Sequence, residues 1–514
     1  MTRTRRFLGG AGLGYLNQAV MVVVGVWLTR FLLTRLGAHD YGLWLVTLQI
    51  FAYLLLADFG VVALLPREAA YVTGRHESSL GEDLRRLTAR TVRLVLWQLP
   101  FVALAAVGVW LWLPAAWEPL RGPLAPVLVA FVAFFPLRVL PALLEGLQDL
   151  AFVGWAQLSA WVATTIVSVA MVIGGEGLSA LASGWIVGQL VLAGVCWVRL
   201  ASHHREALPA ELPELSWPAS KAYLAKSVWV SISQVAQVLV MGSDVLIIGA
   251  TLGPIAVVPY VCTSKLVSFI RNQPLIFLQS AVPGLSEMRT SETRDRVLSA
   301  TTALMQGTLI LSGAATCVIL PSNGWFVGWW VGPGNYGGLA LTGALLANML
   351  VRHTSTTIAY SVYAFGYERR LAVVGLADGI VSVLGTVALV HLVGAVGAPI
   401  ASVVSAAVVS LPPLLLAYAR ATGIPPWLAL KPLWPWCRRF GIVLSLAAAL
   451  TIVRPPVTFI ATVAVTGALL LLYLLFQASL LGQAPLARYV PRKVASVLER
   501  FSLVRGVTPG RVRS

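Results

Sequence analysis

Long apolar runs alternate with short polar segments along the whole chain of 514 residues. A helix needs about 20 apolar residues to cross a bilayer, and about fourteen of the runs reach or approach that length. The predicted spans are 8–33, 42–65, 94–113, 124–145, 154–173, 178–199, 227–250, 254–280, 300–321, 338–361, 371–391, 396–419, 439–453 and 457–480. The pattern therefore predicts an all-α, polytopic membrane protein.

The stretch from Leu28 to Arg67 shows how two spans are joined. It contains the end of one span, a turn punctuated by Gly37 and Gly42, and a second span with Asp58 near its far end. A charged group inside an apolar span costs roughly 2.5–3.5 kcal/mol on insertion scales. The carboxylate of Asp58 therefore indicates a specific role.

Two short patterns recur at a common offset and indicate an internal repeat. Gly37 is matched by Gly253, about 216 residues later, and the glycine-rich turn 174–177 is matched by 394–397 at nearly the same offset. Internal repeats with a site at their interface are common in transporters. The predicted domains are an N-terminal six-helix lobe (1–200), a cytoplasmic linker (201–226), a C-terminal six-helix lobe (227–420), an extra helix pair (421–480) and a basic cytoplasmic tail (481–514).

Composition and charge agree with a membrane protein. Charged residues make up 11% of the chain, against about 25% in soluble domains. With the N-terminus in the cytoplasm, most of the 37 Lys and Arg residues fall on the cytoplasmic side, as the positive-inside rule requires. An even number of spans then places both termini in the cytoplasm. The net charge of +17 is explained by this topology and by attraction to anionic lipids, and nucleic acid is not needed as a partner.

Several kinds of site are not expected. The four cysteines have no CxxC spacing, and the histidines have no metal-ligand partners at useful spacing, so we expect neither a disulfide framework nor a metal site. No lysine follows a glycine, so the chain has no Walker motif, and we do not expect it to hydrolyse ATP. We therefore expect no cofactor, and energy would come from coupling to H⁺ or Na⁺.

Ionisable residues within the predicted spans are few and indicate a hydrated interior, because such residues rarely face lipid. The cations are Arg30, Arg138, Lys265, Arg271 and Arg352, and the anions are Asp58, Glu145, Asp244 and Asp378. A cavity with excess positive charge suits an anion such as phosphate. The four carboxylates are candidates for ion coupling.

Each of these residues also has a structural alternative. Arg30 lies near a helix end and could simply reach the interface. Arg138 and Glu145, seven residues apart on one helix face, could neutralise each other. The carboxylates could serve as helix contacts. Polar stripes at helical spacing, which include Gln234, Gln237 and Asn348, could line a lumen or act as hydrogen bonds between helices.

Two segments carry a resemblance to a known family. The pattern LG-x₃-YG at 36–42, followed by ADFG at 57–60 and Arg67, resembles polysaccharide-export flippases of the Wzx type, which belong to the multidrug/oligosaccharidyl-lipid/polysaccharide exporter superfamily. The stretch SDVLIIGATLG at 243–253, with Tyr260 and SKL at 264–266, is similar to the corresponding second-half segment of that family.

The resemblance implies a function and a site. Members move lipid-linked oligosaccharides, carried on undecaprenyl pyrophosphate, across the bacterial inner membrane, by rocking two lobes around a central cationic cavity. Lys265, Arg271 and Arg352 would hold the pyrophosphate or acidic sugars, and Trp161 and Tyr363 would stack on sugar rings. A polysaccharide polymerase and chain-length proteins of the same pathway would be partners.

Other functions stay open at this point. A multidrug antiporter of the same fold would favour acidic cavity residues, whereas cations slightly outnumber anions here. A peptidoglycan precursor flippase also fits the two extra helices. A membrane glycosyltransferase or polymerase would need a large external loop, but the longest predicted one, 322–337, is short and uncharged. We therefore expect a transporter and not an enzyme.

Overall fold

The structure is a computed structural model that describes residues 3–74, 80–209, 211, 217–274, 278, 281, 285, 287–288, 292–481, 483 and 485–488. Within these residues every regular element is helical, which confirms the predicted all-α class. The predicted basic tail lies largely outside the described residues.

The chain divides into two compact units. The first comprises Met1–Val238 with Gly253–Val257, and the second comprises Leu239–Leu252 with Val258–Ser514. One helix, Trp217–Thr251, contributes residues to both units and covers the end of the predicted linker 201–226. The domain boundaries given above stay predictions.

The first unit consists of long helices joined by short turns. They are α1 (Arg3–Leu54), α2 (Val61–Gly74), α3 (Leu80–Leu111), α4 (Arg121–Phe134), α5 (Val139–Gly146), α6 (Leu150–Ile173), α7 (Gly177–His203) and the first part of α8 (Trp217–Thr251). Helix α1 bends at Gly37, where φ is 82°, so the predicted turn between the first two spans is confirmed.

The predicted span 42–65 is not one continuous helix. Helix α1 ends at Leu54, a 3₁₀ turn covers Leu55–Asp58, and α2 begins at Val61. Phe59 and Gly60 between them have φ values of 46° and 73°, a region that suits glycine and is uncommon for other residues. The backbone N–H of Gly60 turns towards the Asp58 carboxylate and donates a hydrogen bond of 2.8 Å to its Oδ1. The bend therefore places this carboxylate inside the unit.

The charged segment 75–93 lies between the predicted spans 42–65 and 94–113 and is helical from Leu80 onward. Residues 75–79 lie outside the described part, and from Leu80 onward the segment is the beginning of α3, which continues into the predicted span 94–113. Glu82 and Arg86 pair on its exposed face one turn apart. Charge pairing at this spacing supports helices, which explains why the helix extends beyond the apolar run.

The second unit contains the rest of α8 and nine further helices. They are α9 (Pro254–Arg271), whose first residues belong to the first unit, α10 (Arg294–Val331), α11 (Gly338–Ala364), α12 (Glu368–Val393), α13 (Gly397–Ser405), α14 (Leu411–Thr422), α15 (Pro426–Leu430), α16 (Trp434–Val453) and α17 (Phe459–Leu481) in the described part of the chain. A π-helical turn, Ala406–Ser410, connects α13 to α14.

Ten stretches of the described residues are long and apolar enough to cross a membrane. Some of them are not single straight helices: Val20–Asp58 bends at Gly37, and Glu368–Thr422 takes in α12, α13 and α14, with the 3₁₀ turn Gly394–Val396 after α12. The chain is therefore a multi-pass membrane protein. The exact number of fourteen spans and the orientation of the termini stay predictions.

The first pair of matched glycines has a similar backbone conformation, and the second pair of turns does not. Gly253 has a φ of 88°, close to the 82° of Gly37, and each lies between two helical segments. In the second pair of turns, Gly174 and Gly177 have φ values of −70° and 54°, whereas the aligned Gly394 and Gly397 have values of 68° and −58°. Only the first pair therefore supports the internal repeat inferred from the sequence.

Candidate functional site

A buried ion pair in the first unit joins two residues that are 80 positions apart. Nη2 of Arg138 donates to Oδ2 of Asp58 at 3.2 Å. The Asp58 side chain is 0% exposed and that of Arg138 is 27% exposed. Gln98 donates to the backbone oxygen of Asp58 at 3.0 Å and so fixes the bend that carries the carboxylate. One guanidinium face of Arg138 lies 5.1 Å from the ring centroid of Phe135.

Arg138 also lines a cavity of about 510 Å³ inside the first unit. This volume falls within the roughly 300–1,000 Å³ of small-molecule sites. We call it the first-unit cavity. It is lined by Phe51, Leu55, Val62, Ala63, Pro66, Phe131, Phe134, Phe135, Arg138, Pro141, Ala142, Glu145, Gln157, Trp185, Gln189 and Leu192. Two predicted site residues, Arg138 and Glu145, therefore meet there.

The alternative in which Arg138 and Glu145 neutralise each other is wrong. The ion-pair partner of Arg138 is Asp58, and Glu145 has no ion pair within 4.0 Å in the described residues. The reason is the bend before α2, which brings Asp58 to the guanidinium. The three ionisable groups at this cavity carry a formal charge of −1, so the first unit does not supply excess positive charge.

Close packing of α6 against α7 builds one wall of the cavity. A Cβ atom on Gly184 would clash with Ser168, and one on Gly188 would clash with Thr164, both on α6. Small residues four apart let membrane helices approach closely. Trp185 and Gln189 follow these glycines on α7 and thereby reach the cavity beside Gln157 of α6. Sequence analysis missed Trp185 and Gln189, although the Gly184–Gly188 spacing was a signal for this packing.

The second unit contains its own buried arginine–aspartate pair. Nη1 of Arg352, on α11, donates to Oδ2 of Asp378, on α12, and the two side chains are 13% and 4% exposed. Nη2 of Arg352 also donates to Ser402 Oγ at 2.9 Å, and Ser405 Oγ donates to Asp378 Oδ1 at 2.6 Å. Both serines lie on α13. The predicted substrate-binding Arg352 and the predicted coupling residue Asp378 thus satisfy each other.

A second polar group of this unit surrounds Asp244. Tyr260 donates to Oδ2 of Asp244 at 2.6 Å, and Arg271 and Arg352 interact with this carboxylate electrostatically. His353 bonds to the backbone oxygen of Arg271 at 2.9 Å and to Ser312 Oγ at 2.6 Å, which fixes the end of α9. Sequence analysis did not assign a role to His353, because a lone histidine carries no local signal.

Lys265 and Arg271, both on α9, differ from the other central cations. Neither has a carboxylate within 4.0 Å among the described residues. Both side chains are half-buried, and Nε of Arg271 is buried without a hydrogen-bond partner in the described part. A half-buried cation without a carboxylate in direct contact is costly in an apolar setting, so these two residues are suited to an anionic ligand.

The remaining predicted residues are dispersed. Arg30 on α1 and Gln237 on α8 have exposed side chains. Gln234 and Asn348 each have a buried side-chain oxygen without a partner in the described residues. Trp161 is half-buried on α6, and Tyr363 on α11 is 43% exposed. Among the described residues, no group of three or more His, Cys, Asp or Glu residues could hold a metal ion.

A family match covers the middle of the chain. Residues 139–315 match the family of polysaccharide biosynthesis proteins. The resemblance stated above is thereby confirmed for this family, and the Wzx type within it stays a prediction. No curated protein sequence matches this chain.

Solved structures of transporters share the fold. The lipid II flippase MurJ, in an inward closed conformation, is similar over 92% of this chain and 99% of its own, with a TM-score of 0.67 and 10% identity. A multidrug resistance MATE family transporter of the MOP superfamily, inward-facing, covers 78% of this chain and 94% of its own, with a TM-score of 0.61 and 12% identity. A MOP superfamily transporter from Pyrococcus furiosus, whose structure is described by a binding pocket of reverse polarity, covers 81% and 94%, with a TM-score of 0.50 and 12% identity. The chain therefore shares the fold of these transporters.

Proposed function

We propose that this protein translocates a lipid-linked oligosaccharide across the bacterial inner membrane by alternating access. The match of residues 139–315 to polysaccharide biosynthesis proteins and the fold shared with a lipid II flippase support a flippase. The observation that carries the substrate class is the pair of cations on α9, Lys265 and Arg271, which have no carboxylate within 4.0 Å in the described residues.

The charge balance of the second unit supports an anionic headgroup. Its predicted spans hold three cations, Lys265, Arg271 and Arg352, and two anions, Asp244 and Asp378. Arg352 is compensated by Asp378, so the excess falls on α9. Lysine and arginine are the usual partners of phosphate, so this excess of positive charge favours the diphosphate that links lipid to sugar. In this proposal Lys265 and Arg271 bind the diphosphate, whereas Arg138 and Arg352 hold helices together.

Ion coupling, by H⁺ or Na⁺, belongs to the same proposal. Asp58 and Asp378 are engaged in ion pairs, which leaves Glu145 and Asp244 as the carboxylates available to exchange a cation. Anionic lipids would be bound by the basic cytoplasmic segments. A polysaccharide polymerase and chain-length proteins would take over the product outside.

A peptidoglycan precursor flippase is the second candidate function. The MurJ structure covers 92% of this chain, whereas the MATE structure with a TM-score of 0.61 covers 78%, so the MurJ likeness takes in more of the chain. Both candidates carry a sugar on a polyprenyl diphosphate, and both use the α9 cations in the same way. A drug antiporter is less well supported, because excess positive charge repels cationic drugs.

Deletion in the bacterium that encodes this chain distinguishes the candidates. The proposal predicts that lipid-linked repeat units accumulate on the cytoplasmic leaflet while growth continues. Wild type should rescue export, and Lys265→Gln/Arg271→Gln should not. Arg296→Gln, which removes an exposed cation paired with Glu292, is the matched control and should rescue fully. Lysis with arrested peptidoglycan synthesis would indicate the second candidate, and normal surface polysaccharide with drug sensitivity would contradict both.

A further inference from the structure

We propose that the first-unit cavity is a subsite for an uncharged sugar ring of the translocated oligosaccharide. This inference rests on the proposed function and adds a second point of contact to it. The diphosphate would be bound by α9 cations, whereas a sugar of the same substrate would be bound by aromatic and amide side chains of the first unit.

Three aromatic side chains form a continuous wall of this cavity. Phe51 of α1 lies 4.9 Å from Trp185 of α7 and 6.0 Å from Phe131 of α4, measured between ring centroids. Phe131 and Trp185 lie 6.4 Å apart with their planes only 19° from parallel. The C–H faces of a pyranose ring pack against flat aromatic surfaces, since one side of such a sugar is apolar while its rim carries hydroxyls. Phe51 and Phe131 are each 5% exposed and support this wall from behind, and the half-buried Trp185 presents that surface to the cavity.

Hydrogen-bonding groups without protein partners surround the wall. The amides of Gln157 and Gln189 line the cavity and make no side-chain hydrogen bond to the part of the chain that the structure describes. Nη1 of Arg138 is buried and also lacks a partner there. An amide both donates and accepts, as a sugar hydroxyl does, and Glu145 adds acceptors. A few polar groups beside an apolar wall are typical of sites that orient a ligand.

The charges at this cavity do not favour an anion. Asp58 compensates Arg138 at 3.2 Å, so the guanidinium has little attraction left for an anion such as a uronic acid. Glu145 lines the cavity without an ion pair in the described residues, and its carboxyl accepts hydrogen bonds from sugar hydroxyls. A neutral ligand that supplies donors and acceptors fits these residues, and a cation attracted by Glu145 is tested as the alternative.

The matching sequence position in the second unit carries a residue that has partners within the protein. The segment Leu150–Gly154, with sequence LAFVG, is matched by LAVVG at 371–375, which aligns Gln157 with Asp378. At that position Asp378 is fully engaged by Arg352 and Ser405. Asp378 is therefore satisfied within the second unit, whereas the amides Gln157 and Gln189 of the first unit remain available to a ligand.

Binding of neutral glycosides to the purified chain tests this inference. The chain is reconstituted in lipid nanodiscs, since maltoside and glucoside detergents would compete. Saturation-transfer NMR is recorded with a panel of p-nitrophenyl hexosides and N-acetylhexosaminides. Wild type should bind at least one of them, and Gln157→Leu and Gln189→Leu should each weaken binding about three- to tenfold, as expected for one lost hydrogen bond. Gln477→Leu, a buried glutamine on α17, is the matched control and should bind as wild type does.

Other outcomes overturn the inference. Unchanged binding of every glycoside in both variants would refute the sugar subsite, as would the absence of any glycoside binding. Binding of tetraphenylphosphonium that is lost in Glu145→Gln would also refute it, because the cavity would then be a cation site. Thermal unfolding of each variant in the same nanodiscs shows whether the fold is retained. A deletion strain that accumulates lipid-linked repeat units while glycosides fail to bind would refute only the subsite. Glycoside binding without such accumulation would refute the proposed function instead.

Discussion

Nη2 of Arg138 donates to the fully buried carboxylate of Asp58 at 3.2 Å, and Arg352 pairs with Asp378 in the second unit. Each unit thus compensates one central arginine with one aspartate from a different helix. Two predicted substrate cations and two predicted coupling carboxylates therefore have partners within the protein. Of the other three predicted cations, Arg30 on α1 has an exposed side chain, whereas Lys265 and Arg271 on α9 are half-buried and are left for a ligand.

Removing one member of the first pair should destabilise the protein strongly. Arg138→Leu leaves Asp58 as an unpaired buried charge, and breaking such a pair costs about 3–5 kcal/mol. Since Arg138 is 27% exposed, we expect the lower end of this range. The double variant Asp58→Asn/Arg138→Leu should recover most of the loss, because no charge is then buried. Thermal unfolding in nanodiscs measures the difference.

The exposed pair of Glu82 and Arg86 is the control for this prediction. Exposed pairs contribute about 0–1 kcal/mol, so Arg86→Leu should leave stability nearly unchanged. A double variant as unstable as Arg138→Leu alone would contradict the assignment of Asp58 as the stabilising partner.

Loss of Arg352 should lower the stability of the protein, whereas loss of Arg271 should lower its transport rate. Arg352→Gln removes the partner of Asp378 and the hydrogen bonds to Ser402, so stability should fall by about 3 kcal/mol. Arg271→Gln removes no ion pair among the described residues, so stability should hold while transport falls. Unfolding and transport measured on the same preparations separate the two effects. Equal stability of both variants would contradict the structural role of Arg352.

The packing of α6 on α7 should depend on Gly188. A side chain there collides with Thr164 and with the backbone oxygen of Ala160, so Gly188→Leu should force the helices apart and lower the unfolding temperature. Gly194 lies on the same helix with no neighbour within 4 Å of an added Cβ atom. Gly194→Leu should therefore leave the unfolding temperature nearly unchanged. An equal fall of the unfolding temperature in both variants would show that the effect comes from helix propensity and not from packing.

The sequence predicted the positions of the helices better than the contacts between their residues. Apolar runs and the glycine at position 37 located the helices and the first bend, because these depend on local composition and on backbone conformation. The break at Asp58 was not predicted, since Phe59 has an uncommon left-handed conformation that its side chain does not signal. Helix α3 begins earlier than its apolar run because charged residues can extend a helix beyond the membrane.

Residues of the candidate site were predicted from the sequence, but the ion pairs between them were not. Burial of ionisable groups in apolar spans identified Arg138 and Asp58, yet a pair 80 residues apart has no signal in spacing. The nearer Glu145 was considered as the partner for that reason. Trp185 and Gln189 look like ordinary residues of an apolar span, and only their place beside two packed glycines reveals them.

Transport by the purified protein tests the central claim most directly. The chain is reconstituted in liposomes that contain a fluorescent polyprenyl-diphosphate disaccharide, and the fraction accessible to external dithionite is followed with time. Wild type should flip this lipid, and Lys265→Gln/Arg271→Gln should be about ten- to a hundredfold slower, as expected when charge-assisted hydrogen bonds are lost. Arg296→Gln should flip as wild type does. A wild-type rate no faster than that of empty liposomes, or a double variant as fast as wild type, would contradict the account.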